Sequence, residues 1–181
     1  MMRAGEAVDL GCGPGYLVTE LAQAAPGLHV TGIDLADEMI AAAERFAAGK
    51  GLSGQVAFRK GDVCRIPFPN DSLDLVVSTF SLHHWSDPLL VLDEVARVVR
   101  PGGAYLIFDL RRDLAPPFYV LIWFATHVVV PLALKQAGEP MRSRNAAYAP
   151  AEAKELARRS RLTGWQVTRG PLWLTIEGRK P

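Results

Sequence analysis

Residues 8–15 read Val-Asp-Leu-Gly-Cys-Gly-Pro-Gly, a short apolar run that ends in glycines at alternate positions. Glycine reaches backbone conformations closed to other residues and lets the main chain come close to a ligand. Before the cluster, Glu6 to Leu10 has the pattern of a strand, and after it Leu17 to Ala25 has that of a helix, stopped by Pro26-Gly27. A strand, a glycine turn and a helix in that order place a ligand at the carboxyl end of the strand, where open α/β sheets bind. The loop is not of the Walker type, because no Gly-Lys-Ser/Thr follows. A dinucleotide fingerprint needs glycine or alanine at position 16, and the chain has Tyr16. Asp9, just before the loop, would repel a pyrophosphate and suit an ammonium group, which favours a cofactor that carries an amino acid.

The alternation continues. Leu28 to Ile33 reads as a second strand, Asp37 to Ala48 as an Ala-rich helix with Asp37 as its N-cap, and Gln55 to Arg59 as a third strand. Leu73 to Thr79 is apolar enough to be a strand buried on both faces. Asp87-Pro88 starts a helix that runs to about Val99, and after Pro101-Gly102-Gly103 a fifth strand covers Ala104 to Asp109. Short links between alternating strands and helices argue for a parallel sheet with right-handed crossovers. Trp165 to Thr168 and Leu172 to Glu177 are joined by Gly170-Pro171, a turn so short that the two runs must be antiparallel neighbours. The expected fold is α/β, doubly wound, with a mostly parallel sheet and an antiparallel hairpin at one edge.

The 181 residues suit one domain spanning 1–181, with 49% hydrophobic and 22% charged residues, a globular profile. A net charge of +1 lowers the prior for a nucleic-acid partner. Arg158, Arg159 and Arg161 read as a solvated face of a last helix, Tyr148 to Leu162, with Pro150 in its first turn. Cys12 and Cys64 form no Cys-x-x-Cys pair, so no metal is expected, and a cytoplasmic setting is the natural inference. The first residues carry no apolar signal-peptide core.

Two more acids follow strand ends. Asp34, with Leu35 beside it, ends the second strand about 20 residues past the glycine turn, where an acid accepts bonds from ribose hydroxyls. Asp62 and Val63 follow the third strand. Asp62 would accept from an adenine amino group and the Val63 amide would donate to a ring nitrogen.

These segments resemble the class I S-adenosylmethionine-dependent methyltransferases, in particular the methyltransferase type 11 or UbiE-like small-molecule group. The resemblance runs through VDLGCGPG, VTGIDLADEMI, GDV, IPFPNDSLDLVVSTFSLHHW and LDEVARVVRPGG, nearly all of residues 6 to 109. It implies a Rossmann-like, seven-stranded sheet in the order 3-2-1-4-5-7-6 with strand 7 reversed. It also implies that Asp9, Gly11, Gly13 and Gly15 surround the methionine moiety. Cys12 would act there by packing, not as a nucleophile. Asp34 would hold the ribose and Asp62 with Val63 the adenine, while the backbone from Ser78 to Phe80 closes the site. The product would be S-adenosylhomocysteine.

The family has no universal catalytic residue, and fold does not identify the acceptor. His83 and His84 follow the fourth strand on the ligand side. Either would deprotonate an acceptor, His83 being nearer the strand tip, or the pair would only pack the turn before Asp87. Relatives carry helices ahead of the first strand. Here the strand begins almost at Met1, which leaves a truncated start, an open pocket or a partner-supplied lid as alternatives. From Phe118 to Leu134 no residue is charged, a run too short to span a bilayer and interrupted by His127 and Pro131. It is expected within a hydrophobic helical insertion, about 115–147, that walls the acceptor pocket. A homodimer contact or a membrane-surface patch are the other readings. A wall of that kind predicts an apolar or aromatic small-molecule acceptor. The alternatives are an NAD(P)-dependent oxidoreductase on the same fold and a non-catalytic methyltransferase-like binding protein.

Overall fold

The computed structural model describes residues 4–113 and 146–181. The hydrophobic insertion expected at about 115–147 lies almost wholly outside them. The elements run β1 (Ala4–Leu10), α1 (Tyr16–Ala24), β2 (Gly27–Asp34), α2 (Asp37–Gly49), β3 (Val56–Lys60), β4 (Leu73–Thr79), α3 (Pro88–Val98) and β5 (Val99–Leu110). After the undescribed segment come α4 (Pro150–Arg159), β6 (Trp165–Arg169) and β7 (Trp173–Arg179). Two 3-10 turns, Val63–Arg65 and Leu82–His84, follow β3 and β4. The sheet order is β3-β2-β1-β4-β5-β7-β6, as expected. Pairing is parallel from β3 through β5, and β7 is antiparallel to both β5 and β6.

Strand alternation sends neighbouring residues of β1 to opposite layers. Ala7 packs with Val18, Ala22 and Val30 on the α1 side, while Val8 and Leu10 join the larger core under α3 and α4. In α3, Val91, Leu92, Val95 and Val98 are fully buried on one stripe, each worth roughly 1.5–3 kcal/mol. Asp87 caps this helix by accepting the Leu90 amide at 3.0 Å, and Pro88 occupies the first turn, where its missing N–H breaks no helical bond. No described helix is long and apolar enough to cross a membrane.

Three local expectations are corrected. Asp37 is not the N-cap of α2: Ala36 holds that position, and Asp37 is the first helical residue, paired with Lys60 at 2.6 Å. The fifth strand begins at Val99 rather than Ala104. β4 pairs Leu73 with Val99 and then Leu75 with Ala104, so Arg100–Gly103 form a bulge on the strand, not a loop before it. The last helix is shorter than Tyr148 to Leu162, because the chain enters it at Pro150 and leaves it at Ser160.

Candidate active site

Parallel pairing brings the carboxyl ends of β1 to β4 together. The glycine loop after β1 is fastened to β2: the amides of Gly11 and Cys12 both donate to the Ile33 carbonyl, at 2.8 and 2.9 Å. The Gly13 amide donates to Asp34 Oδ2 at 2.9 Å, and Asp34 Oδ1 accepts the Ala36 amide at 3.0 Å. Asp34 therefore braces the loop and the entry to α2 at once. Gly13 has φ +51°, a conformation that L side chains rarely adopt, and a Cβ there would meet nothing within 4 Å. At Gly11 (φ +71°) a Cβ would collide with the Ser81 hydroxyl, so that glycine is required for the loop to lie against the turn after β4.

A cleft of about 500 Å³ opens between these strand ends. Gly11, Gly13, Asp34 and Leu35 line one side, and Asp62, Val63, Phe80 and His84 are among the residues lining the rest. Met39, Gly61, Ser81, Trp85 and Ser86 also face it; the sequence reading gave none of them a role in binding. Leu35 is 67% exposed and Phe80 54%, an apolar surface suited to the face of a ring. Asp62 Oδ1 accepts the Cys64 amide at 2.9 Å, which holds the 3-10 turn that carries Val63. Phe80 sits at φ +54°, strained for a residue with a side chain. Its amide donates to the Phe108 carbonyl at 2.9 Å and its ring stands edge-on to Phe108, 5.2 Å between centroids. Ser78 is fully buried, and its hydroxyl donates to the Leu10 carbonyl at 2.7 Å, a bond between strands; Ser81 and Ser86 are the serines that line the cleft.

Asp9 is 1% exposed, and its Oδ1 is buried with no hydrogen-bond partner among the described residues. Burial first, and the charge of Asp34 second, push its carboxyl up to about 7. A buried unpartnered carboxylate oxygen beside a glycine loop is what an ammonium group would satisfy. Together with the acids at the ends of β2 and β3 it fits an adenosyl amino acid. Burial, then Asp9 and Asp34, push the Cys12 thiol far up, which suits packing against Gly32 and not nucleophilic attack.

The two histidines separate. His84 lines the cleft, while the His83 side chain is 3% exposed and held by Asp109, with Nδ1 2.8 Å from Oδ1. Asp109, the penultimate residue of β5, was missed; an acid near a strand's carboxyl end was the available signal. Among the described residues, no group of three or more His, Cys, Asp or Glu could hold a metal ion. A second cavity of about 310 Å³ lies at the opposite end of the sheet, near Arg97, Tyr105 and Lys180; Lys180 pairs there with Asp71 at 2.7 Å.

The methyltransferase domain family matches residues 8–107. The chain belongs to this family, within the class I S-adenosylmethionine-dependent methyltransferases. It is 36% identical over 121 residues to the uncharacterized methyltransferase YcgJ of Bacillus subtilis, covering 67% of this chain and 46% of the relative. It is 36% identical over 102 residues to a demethylmenaquinone methyltransferase of Thermus thermophilus, covering 56% of this chain and 46% of that protein. The chain thus spans about half the length of the curated relatives it matches. In fold it is similar to phosphoethanolamine N-methyltransferase 2 of Haemonchus contortus, solved in complex with S-adenosyl-L-methionine. The TM-score is 0.75 at 18% identity, over 100% of this chain and 50% of that one.

Proposed function

We propose that the chain binds S-adenosylmethionine in the cleft at the ends of β1 to β4 and serves methyl transfer to an apolar or aromatic small molecule. The observation that carries this reading is Asp9: a buried carboxylate oxygen without a partner, beside a glycine loop and in line with acids at the next two strand ends. When bound, the sulfonium supplies a methyl group for in-line displacement. Asp9 balances the ammonium charge of the donor. Asp34 presents its remaining lone pairs to the ribose hydroxyls while still bracing Gly13. Leu35 and Val63 cover the adenine, and Asp62 accepts from its amino group. The loop and its braces hold the donor in one pose, and alignment of that kind accounts for much of the rate of such a displacement. Among the described residues, His84, which lines the cleft, and His83 beside it are suited to take a proton from the acceptor. The exposed Phe80 ring, continued by Phe108 and by Trp173 stacked 5.6 Å behind it, supports a flat aromatic acceptor. So does the demethylmenaquinone methyltransferase among the relatives.

Calorimetric titration tests the first half: S-adenosylmethionine and S-adenosylhomocysteine bind and NADH does not. Absence of uptake of both adenosyl compounds overturns the proposal. For the second half, formation of S-adenosylhomocysteine is followed with a short-chain demethylnaphthoquinol, a catechol, glycine and phosphoethanolamine as acceptors. Turnover confined to glycine or phosphoethanolamine rejects the apolar acceptor.

A further inference from the structure

Ser81 stands just ahead of the 3-10 turn Leu82–His84, a place where a serine side chain ordinarily caps, yet its hydroxyl caps nothing. The His84 amide donates instead to the Ser81 backbone carbonyl, at 2.9 Å. The hydroxyl oxygen accepts the indole N–H of Trp85 at 3.0 Å. Trp85 is 8% exposed and belongs to the core under α3, so the indole holds that oxygen in place. A serine hydroxyl also has one proton to give. That proton has no acceptor among the described residues, although Ser81 is itself buried and lines the cleft. Because β4 is the neighbour of β1, the hydroxyl lies against the glycine loop, close enough that a Cβ on Gly11 would collide with it.

The glycine loop has little left to offer an anion. The amides of Gly11 and Cys12 are spent on the Ile33 carbonyl, that of Gly13 on Asp34, and that of Gly15 on the Cys12 carbonyl at 3.0 Å. Pro14 has no N–H. An adenosyl amino acid brings two polar groups to this end of the cleft: an ammonium, which only donates, and a carboxylate, which only accepts. The unpartnered oxygen of Asp9 suits the first. We infer that Ser81 is a specificity-determining residue for the methyl donor, giving its hydroxyl proton to the carboxylate, and that Trp85 is the positioning residue that aims it. The assignment rests on the S-adenosylmethionine reading above and goes further by naming the group that reads the carboxylate. A hydroxyl that donates to a carboxylate becomes a better acceptor in turn, so binding strengthens the hydrogen bond from Trp85.

Calorimetry compares S-adenosylhomocysteine with its decarboxylated form, which keeps the ammonium and lacks the carboxylate. The wild type binds the first about 10- to 100-fold more tightly, the worth of a hydrogen bond to a charged group. Ser81→Ala loses that factor for S-adenosylhomocysteine and binds the decarboxylated compound within threefold of wild type. Trp85→Phe narrows the ratio too, whereas a role in packing alone would weaken both compounds alike. Proton–nitrogen NMR of indole-labelled wild type, with Trp85→Phe to assign the resonance, gives a second reading. The Trp85 N–H moves downfield on saturation with S-adenosylhomocysteine and not with the decarboxylated compound. Equal shifts with the two compounds overturn the inference even where Ser81→Ala does not fold. So does an unchanged affinity ratio in Ser81→Ala. Equal affinity of the wild type for both compounds also overturns it and leaves the S-adenosylmethionine reading standing, while absence of binding of either compound overturns both.

Discussion

Asp34 holds the Gly13 amide at 2.9 Å, so the acid read as a ribose ligand is also the brace of the glycine loop. Replacing it by alanine removes both roles. A hydrogen bond to a charged group is worth about 1.5–3 kcal/mol, which corresponds to a loss of roughly 10- to 150-fold in affinity. Asp34→Ala is expected to weaken S-adenosylhomocysteine binding at least tenfold by calorimetry. Its melting temperature should fall by several degrees as well, because the Gly13 and Ala36 amides lose their acceptor, while the Gly11 and Cys12 amides still hold β2 through the Ile33 carbonyl.

Asp9 makes stability depend on pH in an uncommon direction. Its carboxyl is raised to about 7 in the folded chain from an ordinary 3.8, so the folded state holds the proton that the unfolded state releases. Between these values the folded form binds more protons, and stability falls as pH rises through that window. Asp9→Asn removes the penalty. The variant should be more stable than wild type at pH 8, by roughly 4 kcal/mol, and the difference should vanish below pH 4. Urea denaturation at the two pH values measures it. The same variant should bind S-adenosylmethionine at least tenfold more weakly, and wild-type affinity should fall as pH drops below 7.

Two glycines of one loop should respond differently to a methyl group. Gly11→Ala drives a Cβ into the Ser81 side chain at a positive φ, so both terms destabilise, by about 2–4 kcal/mol together. Gly13→Ala keeps the backbone cost, about 1 kcal/mol, but meets no atom and fills the space next to the cleft. Thermal denaturation should rank Gly11→Ala as the less stable, while Gly13→Ala should lose cofactor affinity with most of its stability retained.

Where a local pattern decides the structure, it was legible: the apolar run Leu73–Thr79 is β4, residue for residue, and the short Gly170-Pro171 link is an antiparallel turn. The three carboxylates were legible because each stands at the end of a strand whose pattern is clear. What each oxygen bonds was not, because that depends on where the loop turns. Asp34, not Asp37, supports the start of α2, since the chain bends between them. Proline and glycines hid the start of β5, because a bulge and a loop share the same residues. The pairing of His83 with Asp109 was hidden for a different reason. It depends on β4 and β5 being neighbours and on a 3-10 turn that rotates the first histidine inward and the second toward the cleft.

The segment ahead of β4 is held from a distance by one ion pair. Arg97 in α3 donates to the carbonyls of Ile66 and Phe68 and to the side chain of Asn70, while Glu94, bonded to Arg97 at 2.7 Å, accepts the Ile66 amide at 2.9 Å. The hydrogen bond from Arg97 holds the Glu94 carboxyl below its ordinary 4.5. Its sign is therefore opposite to that of Asp9: the contribution is full above pH 4.5 and is lost as pH falls through the lowered folded value. Arg97→Ala leaves a half-buried carboxylate and two backbone carbonyls without their partner. The expected cost is about 2–3 kcal/mol at pH 7, shrinking as the pH is lowered toward 3. Because these residues stand away from the cleft, S-adenosylhomocysteine affinity at pH 7 should stay within twofold of wild type. A large loss of binding with unchanged stability would show that this segment shapes the cofactor site itself.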